Sequence, residues 1–179
     1  GNCFILLIVL SVILTAVFLL FGEKFLMLFG ASENTIIYAL SYMKIYVAGS
    51  VFVMISLGLN MFITTQGFTK ISMATVLIGA ICNIILDPIF IFGFDMGVQG
   101  AALATIISQA VSAVWVLSFL LGKKTKIKIK KENLLPNLRI LAPVLALGIS
   151  PFVMSATEAV INVAFNSSLQ KYGGDIAVG

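Results

Sequence analysis

Long apolar runs, separated by short stretches that carry the charges, dominate the pattern of this 179-residue chain. A helix needs about 20 apolar residues to cross a bilayer core about 30 Å thick. The runs lack the two-residue alternation of barrel strands, and only helices or closed barrels span a membrane. Five runs are long enough, and they predict five membrane helices: Cys3–Phe21, Ser41–Ile63, Ser72–Phe92, Gly100–Leu121 and Ile140–Leu169.

The charges between these runs predict an orientation. The connections Gly22–Thr35 and Gly93–Gln99 are net negative, whereas Thr64–Lys70 and Gly122–Arg139 are net positive. Basic loops stay in the cytoplasm, so the second and fourth connections are predicted inside and the first and third outside. The first run exceeds the roughly 7–15 apolar residues of a signal core, so we expect it to span the membrane and not to be a signal peptide.

Composition agrees with this class and excludes several activities. The chain is 60% hydrophobic and 10% charged, which is typical of a membrane protein. It contains no His, which excludes Ser/His/Asp and Cys/His nucleophiles and every His metal site. Seven of the eleven basic residues lie in one connection, from Lys123 to Arg139. The net charge of +4 therefore reflects a basic loop that is predicted to be cytoplasmic, and no nucleic-acid partner is expected.

The basic connection is also the predicted boundary between two helical bundles. Residues 1–121 are expected to form four helices of one bundle, 122–139 a cytoplasmic linker, and 140–179 the first helix of a second bundle. The alternating Lys and Ile residues at 126–130 also fit a short strand or an anionic-lipid patch. An odd number of spans indicates a piece of a larger, transporter-like protein.

Polar residues near the end of the third run indicate a functional site. An ionisable side chain in the membrane costs about 2.5–3.5 kcal/mol on insertion scales. The presence of Asp87 in an apolar run therefore indicates a functional role for its carboxylate. Asn83 lies four residues earlier and would project from the same helix face. Pro88 removes a hydrogen bond from the carbonyl of Ile84, and free carbonyls beside a carboxylate suit a hard cation.

Thr105 is the third candidate ligand of this cation site. It and Asp87 are both predicted roughly 7–8 Å from the outer membrane edge, on neighbouring antiparallel helices. Two stripes of small residues predict close packing between these helices: Gly97, Ala101 and Thr105, and Gly100, Ala104 and Ser108. In the alternative interpretation, Asp87 caps the turn or reaches outward, Asn83 only joins helices, and Thr105 bonds its own helix.

Glu158 is the second intramembrane acid, and a possible coupling residue of the second bundle. Glu158, Asn162 and Asn166 follow at a spacing of four and form a polar stripe. Such a stripe is expected to face a bundle interior or a water-filled cavity, as part of a proton or cation pathway. A polar contact between helices is the alternative.

Several motifs resemble those of the multidrug and toxic compound extrusion (MATE) transporters. NIILDPIFIFG and GVQGAALATIISQ are similar to that family's fifth and sixth helices. LFGASENTIIYALSYMKIY and the inner turn TTQGFTK resemble its third and fourth helices, and LGISPFVMSATEAVINV resembles its seventh, so the chain corresponds to about helices three to seven. The resemblance implies an all-α membrane protein, part of a twelve-helix, two-lobed bundle. It also implies efflux of amphipathic or cationic drugs, coupled to Na+ or H+ without another cofactor, by alternating access.

The resemblance also implies roles for individual residues. Asn83, Asp87 and Thr105 match the family's cation site in the first lobe, whereas Glu158 matches an acid of the second lobe. Ser150 departs from the usual Gly-x-Pro pattern beside Glu158. The implied partners are drugs, the lipid bilayer and the remainder of the transporter polypeptide, in the bacterial plasma membrane.

Three other functions compete with drug export. A flippase for lipids or lipid-linked saccharides would need a wide cavity lined by cationic side chains. The predicted spans offer only Lys44, near the end of one span, and Arg139, at the edge of another. A membrane enzyme would need a nucleophile beside a base. A non-transporting structural subunit would tolerate replacement of Asp87 and Glu158.

Overall fold

The chain folds into membrane helices. The computed structural model describes residues 1–29, 31–32, 34–122, 125, 135 and 137–178, with side chains up to residue 168. Every regular element in these ranges is helical: α1 Asn2–Leu28, α2 Ile36–Ala48, α3 Ser50–Thr65, α4 Thr69–Pro88, a π-helical turn Ile89–Gly93, α5 Gly97–Leu121 and α6 Leu138–Val178. Four helical segments are long and apolar enough to cross a membrane singly, and α2 with α3 has the length and composition for a fifth as a bent pair. The predicted all-α, multi-pass fold is confirmed.

Some predicted helix ends are wrong. α1 continues to Leu28, beyond the predicted end at Phe21, because the exposed Glu23 and Lys24 are compatible with a helix and apolar residues follow them. α6 runs from Leu138 to Val178 with Pro143 and Pro151 inside the helix. Glu33 and the alternating residues at 126–130 lie outside the described residues.

The run Ser41–Ile63, predicted as one membrane helix, is divided between two helices in the structure. α2 and α3 meet at Gly49 with a bend of 57°. The Gly49 amide donates to the carbonyls of both Ile45 and Tyr46, so regular α-helical bonding ends there. The Thr15 hydroxyl of α1 also donates to the Val47 carbonyl over 3.0 Å, so a side chain of α1 contacts the backbone at the break.

Gly49 allows α5 to approach this break closely. A Cβ at Gly49 would lie 2.5–2.7 Å from three side-chain carbons of Ile106. We therefore expect Gly49→Ala to destabilise the full-length protein by about 1–3 kcal/mol, the usual cost of overpacking. A second substitution, Ile106→Ala, removes all three of those carbons and should recover part of the loss. Thermal unfolding in detergent measures both effects, and an unchanged midpoint for Gly49→Ala would contradict this packing.

α5 lies at the centre of the bundle and packs against α2, α3 and α4. A cluster of buried apolar side chains lies between α3 and α5: Ile55, Leu59, Ile63, Ala113, Val116 and Leu120. α6 packs against α1, and the Asn137 amide at its start donates to Asn2 Oδ1 over 2.7 Å. Most of the described α6 side chains are exposed. The division into two bundles at 122–139 stays a prediction.

Two connections predicted to be cytoplasmic lie at the same end of the bundle. Thr125 of the linker donates a hydrogen bond of 2.8 Å to Gln66 Oε1, in the turn between α3 and α4. Gly67 gives this turn its tight form, with φ of +90°. The contact agrees with the predicted orientation, in which both connections face the cytoplasm.

Candidate cation site and inner cavity

The last two turns of α4 bring Asn83 and Asp87 together as the spacing predicted. Asn83 Nδ2 donates to Asp87 Oδ1 over 3.2 Å, and both residues are half-buried. The amide proton stabilises the carboxylate while the Asn83 Oδ1 atom keeps its capacity as an acceptor. The pair therefore offers oxygen ligands and one negative charge within a membrane helix.

The backbone leaves α geometry directly after Pro88. Pro88 has no amide proton, so the Ile84 carbonyl cannot accept the usual bond from that position. The following turn is π-helical, and the Phe94 amide donates to the Ile89 carbonyl over 3.0 Å. A loosened backbone beside Asp87, expected from the proline, is thus present in the structure.

Small residues on α5 let it pack closely against this turn. A Cβ at Gly100 would lie 2.8 Å from both the carbonyl carbon and oxygen of Phe90. Gly100, Ala104 and Ser108 are all buried, so the close packing predicted for this stripe is confirmed. The second stripe, which ends at Thr105, is half-buried or exposed.

Thr105 lies on the same cavity as Asn83, but its hydroxyl proton is used elsewhere. Thr105 Oγ1 donates to the Ala101 carbonyl of its own helix over 2.9 Å. This is the bond of the alternative interpretation, although both hydroxyl lone pairs remain available to accept a proton or bind a cation. The cation-binding role of Asn83, Asp87 and Thr105 stays a prediction.

A cavity of about 220 Å³, lined by both polar and apolar side chains, lies between α3, α4 and α5 and extends from Asn83 toward Asn60 and Thr75. Besides Asn83 and Thr105, its polar lining consists of Ser56, Asn60, Thr75, Ser108, Gln109 and Ser112. Ser56 donates to Gln109 Oε1, and Ser112 donates to the Thr75 carbonyl over 3.2 Å. None of these six residues was predicted from the sequence to line a cavity. The sequence pattern that could have identified them is the recurrence of polar residues at a spacing of about four in each of three helices.

Glu158 does not join this site in the described part of the chain. Its side chain is exposed on α6, as is that of Asn162, and Asn166 is half-buried. α6 packs against α1, while the candidate cation site lies on α4 and α5. A coupling role for Glu158 in a second lobe therefore stays a prediction.

Comparison with known proteins connects the fold to a family. The family model described as MatE matches residues 1–89. Multidrug export protein MepA of Staphylococcus aureus (strain bovine RF122 / ET3-1) is 32% identical over 166 residues, which cover 93% of this chain and 37% of the relative. The chain therefore spans less than half the length of that relative.

Solved structures agree over almost the entire chain. The MATE multidrug transporter DinF-BH, solved as a complex, is 32% identical with a TM-score of 0.93, covering 99% of this chain and 40% of that one. A MOP superfamily transporter from Pyrococcus furiosus, whose reverse binding-pocket polarity is said to suggest a different function, is 26% identical with a TM-score of 0.85 and similar coverage, 99% and 40%. The chain is thus a multi-pass membrane protein that belongs to the MATE transporter family.

Proposed function

We propose that the full-length protein exports amphipathic or cationic compounds in exchange for Na+ or H+, which binds at Asp87 in each cycle. The half-buried Asp87 carboxylate, paired with Asn83 inside a membrane helix, is the observation that carries this proposal. Intramembrane acids are costly and commonly mark ion pathways. The description of two relatives as multidrug transporters supports the substrate class.

The ligands around Asp87 fit either coupling ion. A proton needs only the Asp87 carboxylate. Na+ is a hard cation that prefers oxygen ligands, which Asn83 Oδ1, Thr105 Oγ1 and the backbone loosened by Pro88 would add. Both Asn83 and Thr105 line the same cavity, so their oxygens lie on one water-accessible surface.

Binding of the ion couples to transport through the charge of Asp87. A ligand shifts a conformational equilibrium only if it binds the two states with different affinity. A charged Asp87 carboxylate without a bound ion stabilises the conformation in which water reaches it. Once an ion neutralises the carboxylate, the conformation in which the helices close around it costs less free energy. Neutralisation of Asp87 therefore favours the closed first lobe and the conformational step that follows.

Among the described residues, the lining of the cavity lacks the cationic side chains that would bind an anionic substrate. In the described part of the chain, its polar lining is made of hydroxyl and amide side chains, without Lys or Arg. A flippase for anionic lipid-linked saccharides would be expected to hold cationic side chains there. A transporter of the same fold is described with a reversed pocket polarity that suggests a different function. The polarity of the pocket therefore distinguishes between substrate classes better than the fold does.

Transport by the reconstituted full-length protein tests the proposal. We expect an inward Na+ gradient at constant pH, or a pH gradient without Na+, to accelerate efflux of a fluorescent amphipathic cation such as ethidium. The acceleration should be about tenfold or more over vesicles without a gradient, which corresponds to about 1.4 kcal/mol of coupling. Equal efflux rates under both gradients and under none would contradict cation coupling.

A further inference from the structure

The polar cavity continues from the Asn83–Asp87 pair toward the turn between α3 and α4. Thr75 and Ser72 on α4 follow Asn83 in that direction, and Asn60 and Thr64 on α3 lie opposite them. The turn itself contacts the linker through Gln66 and Thr125. Neutral polar side chains thus extend from the candidate cation site to the end of the bundle that is predicted to be cytoplasmic.

Asn60 carries an atom whose hydrogen bond is missing. Its Nδ2 atom donates to the Ser72 carbonyl over 3.3 Å, but its buried Oδ1 atom has no hydrogen-bond partner among the described residues. Buried polar atoms in proteins nearly always have a partner, and ordered water supplies it where no protein group does. Because Asn60 lines the cavity, we expect water on its Oδ1 atom.

The cavity has the volume and the chemistry to hold a chain of waters. Water occupies about 30 Å³ in the liquid, so a cavity of about 220 Å³ accommodates about seven molecules. Thr75 and Ser108 donate to carbonyls of their own helices, which leaves their lone pairs free to accept from water. The lining contains hydroxyls and amides beside apolar residues such as Leu57 and Val76, and polar partners of this kind hold water where a wholly apolar cavity stays dry.

Hydrogen bonds join α3 and α4 beyond the inner end of the cavity. The hydroxyls of Thr64 and Ser72 lie 2.7 Å apart, and Asn60 bonds the Ser72 carbonyl beside them. Thr64 is exposed and is one residue from the end of α3, so water reaches the outer side of these bonds. Water can replace such bonds one by one at little energetic cost.

We propose that this cavity is a hydrated route to the cytoplasm for the ion released at Asp87, with Asn60, Thr64 and Ser72 as its polar inner closure. The identity of the ion rests on the proposed function, but the hydration does not. The neutral lining also suits conduction, because an ion must bind weakly enough to leave.

Cysteine accessibility in the full-length protein tests the route. In a background with Cys3 and Cys82 replaced by Ala, Thr75→Cys places a thiol in the cavity. Leu77→Cys is the matched control, since it lies two residues away and about 200° around α4. A membrane-impermeant methanethiosulfonate applied to inside-out vesicles is expected to modify Thr75→Cys at least about tenfold faster than Leu77→Cys, because only hydrated thiols ionise and react.

Three further outcomes decide the proposal. Equal modification of the two cysteines, or faster modification of Thr75→Cys only from the outside of intact cells, would overturn it. Ser56→Cys on α3 gives the same comparison if Thr75→Cys fails to fold. Adding Asp87→Asn should leave the modification rate unchanged, so the route is tested separately from ion coupling at Asp87.

Discussion

Replacing Asp87 with Asn in the full-length protein is expected to reduce gradient-driven efflux to the rate measured without a gradient. The amide keeps the shape of the carboxylate and can still accept the 3.2 Å bond from Asn83. It cannot bind a proton or supply a negative charge to Na+, so the ion loses its differential affinity for the two states. The loss should be about 5- to 150-fold, the range of typical coupling free energies.

Asp95→Asn is the matched control for this experiment. Asp95 lies in the turn before α5, is exposed, and has a φ of 54° that Asn also tolerates. The same chemical change eight residues from Asp87 should leave efflux within about twofold of the unmodified protein, as for most surface substitutions. Equal losses in the two variants, or coupled efflux that survives Asp87→Asn, would exclude Asp87 as the coupling residue.

The spans were predictable from sequence because membrane crossing depends on length and apolarity, which hydropathy measures directly. The break at Gly49 was not predictable, because apolar residues continue through it and a single glycine inside a membrane helix is common. The residues that contact the break are far from it in the sequence. Thr15 of α1 donates to the Val47 carbonyl beside the break, and Ile106 leaves no space for a side chain at Gly49.

In the candidate site, too, contacts within one helix were predictable from the sequence, whereas contacts between helices were not. The Asn83–Asp87 hydrogen bond follows from a spacing of four on one helix, so the sequence predicted it. The partner of the Thr105 hydroxyl depends on competition between its own helix and a neighbouring one, and its own helix prevails. Helical spacing alone does not decide such competition.

The inner cavity was missed because its residues are individually ordinary. Ser and Thr are frequent in membrane helices, where they commonly bond a carbonyl one turn back, as Thr75 and Ser108 do. Only the assembled helices show that such residues, together with Asn60 and Gln109, surround one space. Polar residues that recur near a spacing of four on three successive spans are therefore a useful indication of such a cavity.

Gly100→Ala is expected to destabilise the full-length protein and to disturb the candidate cation site at the same time. The new Cβ would lie 2.8 Å from the Phe90 carbonyl carbon and oxygen, which are backbone atoms and cannot rotate away. α5 and the π-helical turn after Pro88 must therefore separate. Overpacking of this kind costs about 1–3 kcal/mol, which exceeds or offsets the roughly 1 kcal/mol that Ala gains over Gly in a helix.

Gly93→Ala separates this close approach from a general effect of adding a methyl group near the site. Gly93 ends the same π-helical turn, but a Cβ there would meet nothing within 4 Å. We expect Gly93→Ala to unfold at the temperature of the unmodified protein and to transport normally, whereas Gly100→Ala should lower both the unfolding temperature and coupled efflux. If the two variants behave alike, contact between Gly100 and Phe90 does not hold α5 against the turn that follows Asp87.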